Sequence, residues 1–260
     1  MSAPRQILAF LIPLFAAAAV HAATTVVVRP DSSGTANGDT FVTTGPSNNL
    51  TGNNYGGAGA ISVSAAGLPA GEERSVIRFD VSTVKSSFDS TYGVGNWTLT
   101  GVQLELTATA PNNGVFNTSA AGSILVQWVP NDGWVEGGGT PASPSTVAGT
   151  LNWNGIAALA TGAESEGTFS FLGGTTGTGD YALSASAGLL GDFMSGSQAS
   201  FILSAADSTV SGVFNTRTFP TTGSRPALIV TAVQTVPEPA RAGLMLAGTA
   251  GLRLRRRRSI

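Results

Sequence analysis

The feature that most limits what this chain can fold into is a two-residue alternation that returns along it in short pieces. Within residues 75–81, Ile77, Phe79 and Val81 point one way and Val76, Arg78 and Asp80 the other. Val102, Leu104 and Leu106 oppose Gln103, Glu105 and Thr107, and Ile124, Val126 and Trp128 repeat the pattern. A period of two is that of a β-strand, whose side chains alternate between faces. Further strands are expected at 24–29, 39–42, 61–64 (half-buried, Ile61 and Val63 against Ser62 and Ser64), 169–172, 181–183, 201–203 and 228–233. Helical spacing shows only at Leu189, Leu190, Phe193 and Met194, a piece of about two turns. Loops rich in Ser, Gly and Asn, such as 31–38 and 47–59, separate the strands. The chain has 34 Gly, 13 Pro, a single Lys (Lys85) and 11% charged residues, so helix formers are scarce. Together these features predict an all-β fold: an antiparallel β-sandwich, jelly-roll-like, with one short helix. No fixed-period repeat is visible, which argues against a solenoid or propeller.

The ends read differently from the body. Residues 1–22 carry Arg5, an apolar stretch over 7–20 and the small-residue site Val20-His21-Ala22, the pattern of a secretory signal peptide cleaved after Ala22. His21 is the single histidine and the chain has no cysteine, so the mature body lacks disulfides, thiolate nucleophiles and the commonest general base and metal ligand. The body, residues 23–235, holds six basic and fourteen acidic residues, a formal charge of −8. Such a balance argues against nucleic acid as a partner.

After residue 235 the chain reads Val236-Pro237-Glu238-Pro239, then an uncharged apolar run over 242–252, then Arg253 and Arg255, Arg256, Arg257 and Arg258. Two prolines end the last strand, since each lacks an N–H. The apolar run, as a helix, rises only ~16 Å, about half of a ~30 Å hydrocarbon core, and arginines directly after it are what a stop-transfer segment carries on its cytoplasmic side. The bland alternative is a basic tail that binds nucleic acid or anionic lipid. The three parts in this order resemble the PEP-CTERM sorting signal of Gram-negative bacteria, over residues 236–258. The resemblance implies recognition by an exosortase-type enzyme and transient anchoring in the inner membrane through a C-terminal apolar helix. Processing and delivery to the envelope, the outer surface or the medium would follow, in connection with exopolysaccharide or biofilm.

The body carries a second resemblance. Asp39-Thr40-Phe41, Asn54-Tyr55-Gly56, Ser75-Val76-Ile77-Arg78-Phe79-Asp80, Trp134-Val135-Glu136-Gly137 and Arg225-Pro226-Ala227-Leu228 come in the order seen in DNRLRE domains, the disaggregatase-related repeats. That implies a jelly-roll-like sandwich of extracellular proteins, some of whose relatives bind polysaccharide.

The residues best suited to chemistry are Trp128, Asp132, Trp134 and Glu136. If 132–136 is extended, Asp132, Trp134 and Glu136 share a face and set an aromatic platform beside two carboxylates, which suits a sugar ring. A sharper form makes Asp132 and Glu136 a glycosidase pair; the plainer one packs the tryptophans in the core and leaves the acids in a solvated turn opened by Pro130. Arg78 and Asp80 are expected to pair with neighbours across the sheet. Asp39, Asp180 and Asp192 offer oxygen ligands for a structural calcium, but no Asp-x-Asp-x-Asp-Gly loop supports one, and no cofactor is expected. Sequons start at Asn49, Asn96 and Asn117, and no phosphate loop or serine elbow is present. The expectation is a non-enzymatic envelope or matrix protein; a polysaccharide-binding module is the alternative, and a secreted glycosidase or lyase a more distant one.

Overall fold

The computed structural model describes residues 22–31 and 35–235. The signal peptide up to His21 lies outside the described residues, as do positions 32–34. So does the tail from Val236 onward, with Pro237, Glu238, Pro239, the expected apolar helix and the arginines at 255–258.

The fold is all-β and antiparallel. In chain order its strands are β1 (Thr24–Val28), β2 (Gly38–Thr43), β3 (Ala60–Ser64), β4 (Glu73–Asp80), β5 (Trp97–Thr109), β6 (Gly122–Val129), β7 (Glu164–Phe171), β8 (Thr178–Leu183), β9 (Gln198–Ala205), β10 (Ser211–Asn215) and β11 (Ala227–Gln234). They form one curled, half-barrel sheet in the order β1-β11-β5-β10-β3-β4-β9-β6-β7, with β2 beside β4 and β8 beside β5. The curl brings β7 toward β8: the Ser184 N–H donates to the Glu166 carbonyl at 2.8 Å, and the Phe169 and Tyr181 rings stack 3.7 Å apart.

The alternation read from the sequence selects the inner face. Ile77, Phe79, Leu104, Leu106, Ile124, Val126 and Trp128 all enter one apolar core with Phe201, Leu203, Phe214, Leu228 and Val230. Two helices close it, α1 (Ser82–Tyr92) through Val84 and Phe88, and α3 (Ala187–Ser195) through Leu189 and Phe193. Helix α3 is the expected short one: Ser186 caps it by accepting from the Leu189 N–H, and Gly196 ends it in the left-handed conformation (φ 67°). Its Leu190 and Met194 face solvent.

Four elements depart from the sequence reading. Helix α1 was not foreseen, because six of its eleven residues are Ser or Thr; burial of Val84 and Phe88, one turn apart, overrides weak propensity. A second unforeseen helix, α2 (Trp153–Leu159), is capped by Asn152, and strand β10, which contains Gly212, is buried on both faces. Strand β3 is not half-buried: Ser62 and Ser64 are fully enclosed, their hydroxyls donating to Glu73 and to the Gly71 carbonyl.

The reason is a second layer. After β6 the chain crosses to the outer face of the sheet, where the segment 130–160 lies as a strap over β2, β4 and β9. Trp134, Leu151, Ile156 and Leu159 from the strap pack with Val42, Val76, Val129 and Ile202 in a second apolar cluster. Phe41, Tyr55 and Phe116 make a third beside it, Phe41 and Tyr55 stacked 4.7 Å apart. Asn54 ties strap to sheet; its amide donates to the carbonyls of Glu136 and Leu151, the latter at 2.7 Å. Gly137 (φ 76°) is required there, since a Cβ would stand 2.2 Å from Asn54 Oδ1.

Candidate functional site

The four residues singled out by sequence do not share one place. Trp128 is the last inward residue of β6, and its ring lies against Gly188 of α3 while its Nε1–H donates to Asp192 Oδ2 at 2.6 Å. Val129 already faces the other side, and Asp132, Trp134 and Glu136 follow on the strap. The crossing of the chain after Val129, not the alternation, thus separates Trp128 from the other three by the thickness of the sheet.

Those three line an open cleft of about 530 Å³ with Thr35, Asn37, Arg78, Gln198 and Arg217. Arg78, an outward residue of β4 only 6% exposed, organises it. Its Nη1 donates to the carbonyls of Asp132 (2.5 Å) and Trp134 (2.9 Å), and its Nη2 to the carbonyl of Thr35 (2.7 Å). The guanidinium also lies 4.7 Å from the centroid of the Trp134 ring. Trp134 is therefore not an open platform for a sugar: it is 7% exposed, Arg78 lies over its ring, and its Nε1–H is spent on Ser200 Oγ at 3.0 Å. Among the described residues, neither Arg78 nor Asp80 makes the expected ion pair across the sheet; Arg78 bonds backbone carbonyls of distant segments. Asp80 Oδ1 accepts from the Ser82 N–H and the Asp80 N–H donates to Asn37 Oδ1.

Glu136 is held in a tight ion pair. Arg217 Nη2 reaches its Oε2 at 2.6 Å, and Oε1 accepts from Arg217 Nε at 3.3 Å and from the Asp39 N–H at 3.2 Å. Asp39, on β2, completes the group by accepting the Arg217 backbone N–H at 2.5 Å. Burial pushes the Asp39 carboxyl up to about 7; the Arg217 N–H works against this and the neighbouring Glu136 charge adds to it. Burial also raises Asp132, opposed by the Ser200 hydroxyl and the Arg78 charge, and lowers Arg78. Arg217 is raised: burial disfavours its charge, but Glu136 and Asp39 outweigh it. Three polar atoms here, Asp39 Oδ1, Arg78 Nε and Asp132 Oδ1, are buried without a hydrogen-bond partner. The cleft thus offers donors and acceptors in near balance, but no thiol or imidazole.

The remaining expectations fall elsewhere. Asp39, Asp180 and Asp192 sit on β2, β8 and α3 and do not converge, and no group of three or more acids or histidines among the described residues is placed to hold a metal. Asn117 is 4% exposed with its side chain bonded to the Ala70 N–H, Ser64 Oγ and the Gly71 carbonyl, which leaves no amide for a glycan. One group went unseen in the sequence: Glu73 at the start of β4 is wholly buried, accepts from Ser62 Oγ at 2.5 Å, and is pushed by burial up to about 8 against the pull of Ser62 and Ser64. Its buried neighbours Ser62, Ser64 and Ser75 are the signal, since a serine-rich strand face opposite an acid is expensive to enclose unless its groups bond one another.

No model of a known protein family matches the chain, and no curated protein matches it.

Proposed function

We propose that this chain is an exported, non-enzymatic protein of the cell envelope or extracellular matrix, sorted through its C-terminal tail and linked to exopolysaccharide. In this reading the half-barrel and its outer strap form a jelly-roll-like β-sandwich of the DNRLRE kind. Residues 1–22 are removed at Ala22. The tail, with Pro237, Glu238 and Pro239, the apolar run and Arg255, Arg256, Arg257 and Arg258, is read by an exosortase-type enzyme while it is held in the inner membrane.

The observation that supports the reading is where the first and last described strands lie. Strand β1 begins at Thr24 and β11 ends at Gln234, so both proposed processing sites fall just outside the sheet. The two strands pair antiparallel, Thr24 opposite Ala232, so the ends leave the body side by side; the Tyr92 hydroxyl bonds the carbonyls of both Ala22 (2.9 Å) and Ala232 (3.1 Å). Among the described residues, every member of the three apolar clusters lies between the two sites. Expression of the chain with and without residues 236–260 in a host that carries an exosortase tests this. The parent is expected to be membrane-held or processed and the truncated chain released; identical, unprocessed behaviour of both would sink the sorting claim.

The cleft supports a second reading, a polysaccharide-binding module, because Arg78 Nε and Asp132 Oδ1 have unused hydrogen-bonding capacity beside an open polar hollow. It would work through hydrogen bonds donated by Arg78 and Gln198 and accepted by Asp132 rather than through stacking on Trp134. Affinity electrophoresis of parent and Asp132→Ala against neutral and acidic polysaccharides decides it: retardation lost in the variant supports the module, and equal mobility throughout removes it.

A further inference from the structure

The curled sheet treats its edges unequally. Strand β7, at one end of the order, has its far side occupied: the Glu166 carbonyl accepts from Ser184, a register shift interrupts its pairing with β6 between Val126 and Gln127, and the acids Glu164 and Glu166 hold the Gly188 and Ser186 N–H groups. The side strand β2 is covered by Glu136 on the Asp39 N–H and by the Arg217 N–H on the Asp39 carboxylate. Strand β1, at the other end of the order, has no such guard. It pairs with β11 over five residues, and among the described residues no backbone bonds to its opposite side.

Its sequence, Thr24-Thr25-Val26-Val27-Val28, has no charge, no proline and no bulge, and four of its side chains leave solvent only partly or not at all excluded while Val27 is 50% exposed. Natural sheets usually blunt such an edge with a lysine, a proline or a covering loop. We propose that β1 is a self-association edge, at which a second copy of this chain adds its own β1 antiparallel about a two-fold axis through Val26.

The pattern is self-complementary. Antiparallel pairing about Val26 sets Val26 against Val26 of the second copy, Thr24 against its Val28, and Thr25 against its Val27. Parity is kept: Thr24, Val26 and Val28 continue the inner face across the junction, and Thr25 and Val27 continue the outer one. Charge points to the same place. The body carries a formal charge of −8, so broad face-to-face contact between copies is repulsive, and β1 is an uncharged stretch at its rim. Five residues of strand extend only ~17 Å and cannot bury the ~800 Å² per partner of a standard interface. The contact is therefore weak in dilute solution and effective where copies are crowded. It stands independently of the sorting proposal, since it uses only the body.

The full chain, kept in mild detergent, is expected to show a concentration-dependent dimer in sedimentation equilibrium. Val27→Lys, which sets two lysines diagonally across the junction on the outer face, should remain monomeric over the same range, and Val27→Thr, uncharged and strand-compatible, should dimerise as the parent does. Circular dichroism identifies any variant that has not folded. The chain has no cysteine, so register can be read directly. Chains with Thr25→Cys mixed with chains with Val27→Cys should give several-fold more disulfide dimer than either alone. Monomer at every concentration, a Val27→Lys dimer equal to the parent's, or no excess of the mixed disulfide overturns the proposal. So does a dimer that forms only after deletion of residues 236–260, which would make the chain's own tail the occupant of the edge.

Discussion

Burial of two carboxyls sets an unusual expectation for stability against pH. Asp39 and Glu73 are 1% and 0% exposed, and burial lifts them to about 7 and about 8 from the ordinary carboxylate range. In the unfolded chain both release their protons near pH 4, whereas the folded chain keeps them three or more units longer. The folded state thus binds more protons through this window, and stability falls as pH rises from about 4, levelling once pH passes about 8. While a group is inside its window the slope is about −1.4 kcal/mol per pH unit, so the two together remove a sizeable part of a typical 5–15 kcal/mol. Asp207 works in the opposite sense at the acid end: backbone N–H groups of Thr209, Val210 and Ser123 hold it down at about 2, and what it contributes is lost only as pH falls from about 4 toward 2. The expected profile is a maximum near pH 4–5 with a long decline on the alkaline side. Glu73→Gln isolates the cause. The amide stays neutral, Ser62 can still donate to its carbonyl, and Ser64 Oγ stands close by. The variant should match or fall below the parent at pH 4.5 and exceed it at pH 8. Urea denaturation at half-unit steps of pH reads both curves. A parent whose stability is flat or rising from pH 5 to 8, or a variant with the parent's slope, would refute the argument that Glu73 is folded in its protonated form.

Other expectations concern packing. Phe79→Ala should cost about 3–5 kcal/mol, because Phe79 is fully buried on β4 with its ring edge-on to Phe201 at 6.0 Å; an unchanged denaturation midpoint would count against its core role. Gly188→Ala should destabilise by about 1–3 kcal/mol despite better helix propensity, since the new Cβ would lie 2.1 Å from the Trp128 ring, and a shifted indole emission should accompany the loss. Arg78→Met should cost about 1–3 kcal/mol by leaving the buried Trp134 carbonyl and the part-buried carbonyls of Asp132 and Thr35 without their donor, and limited proteolysis should cut within 130–160 before the body unfolds. Uniform resistance of that segment in the variant would show that Arg78 does not hold the strap.

The inner half of the fold was legible because there one face is apolar and the other wet, which is the condition under which period two is written into a sequence. Strand β5 is the clean case: Val102, Leu104 and Leu106 are buried and Gln103, Glu105 and Thr107 are not, in the order the residues announce. Helix α1 and strand β10 were not legible. The first is made of residues that favour turns and forms because Val84 and Phe88 find the core; the second is five residues buried on both faces, which leaves no polar phase to read.

The outer half failed to announce itself for a different reason. Ser62, Glu73, Ser75 and Arg78 are polar, and on an antiparallel strand polar residues ordinarily mark the solvent face. Here all four are enclosed, Arg78 beneath the strap and Ser62, Glu73 and Ser75 bonded to one another, and they are tolerable there only because other segments complete their bonds. Arg78 needs the carbonyls of Thr35, Asp132 and Trp134, from 43 to 56 residues away in the chain, and Asn54 needs those of Glu136 and Leu151. None of these acceptors has a side-chain signature, because every residue placed in the right turn offers the same carbonyl. The same fact explains the fate of the Trp134 platform. Local alternation correctly put Asp132, Trp134 and Glu136 together, but whether an aromatic ring is offered to a ligand or roofed by a guanidinium depends on β4, which the strap meets only in three dimensions. A cleft assembled from backbone carbonyls on one side and side chains on the other is therefore half invisible to sequence, and the visible half is the part that looks most like a site.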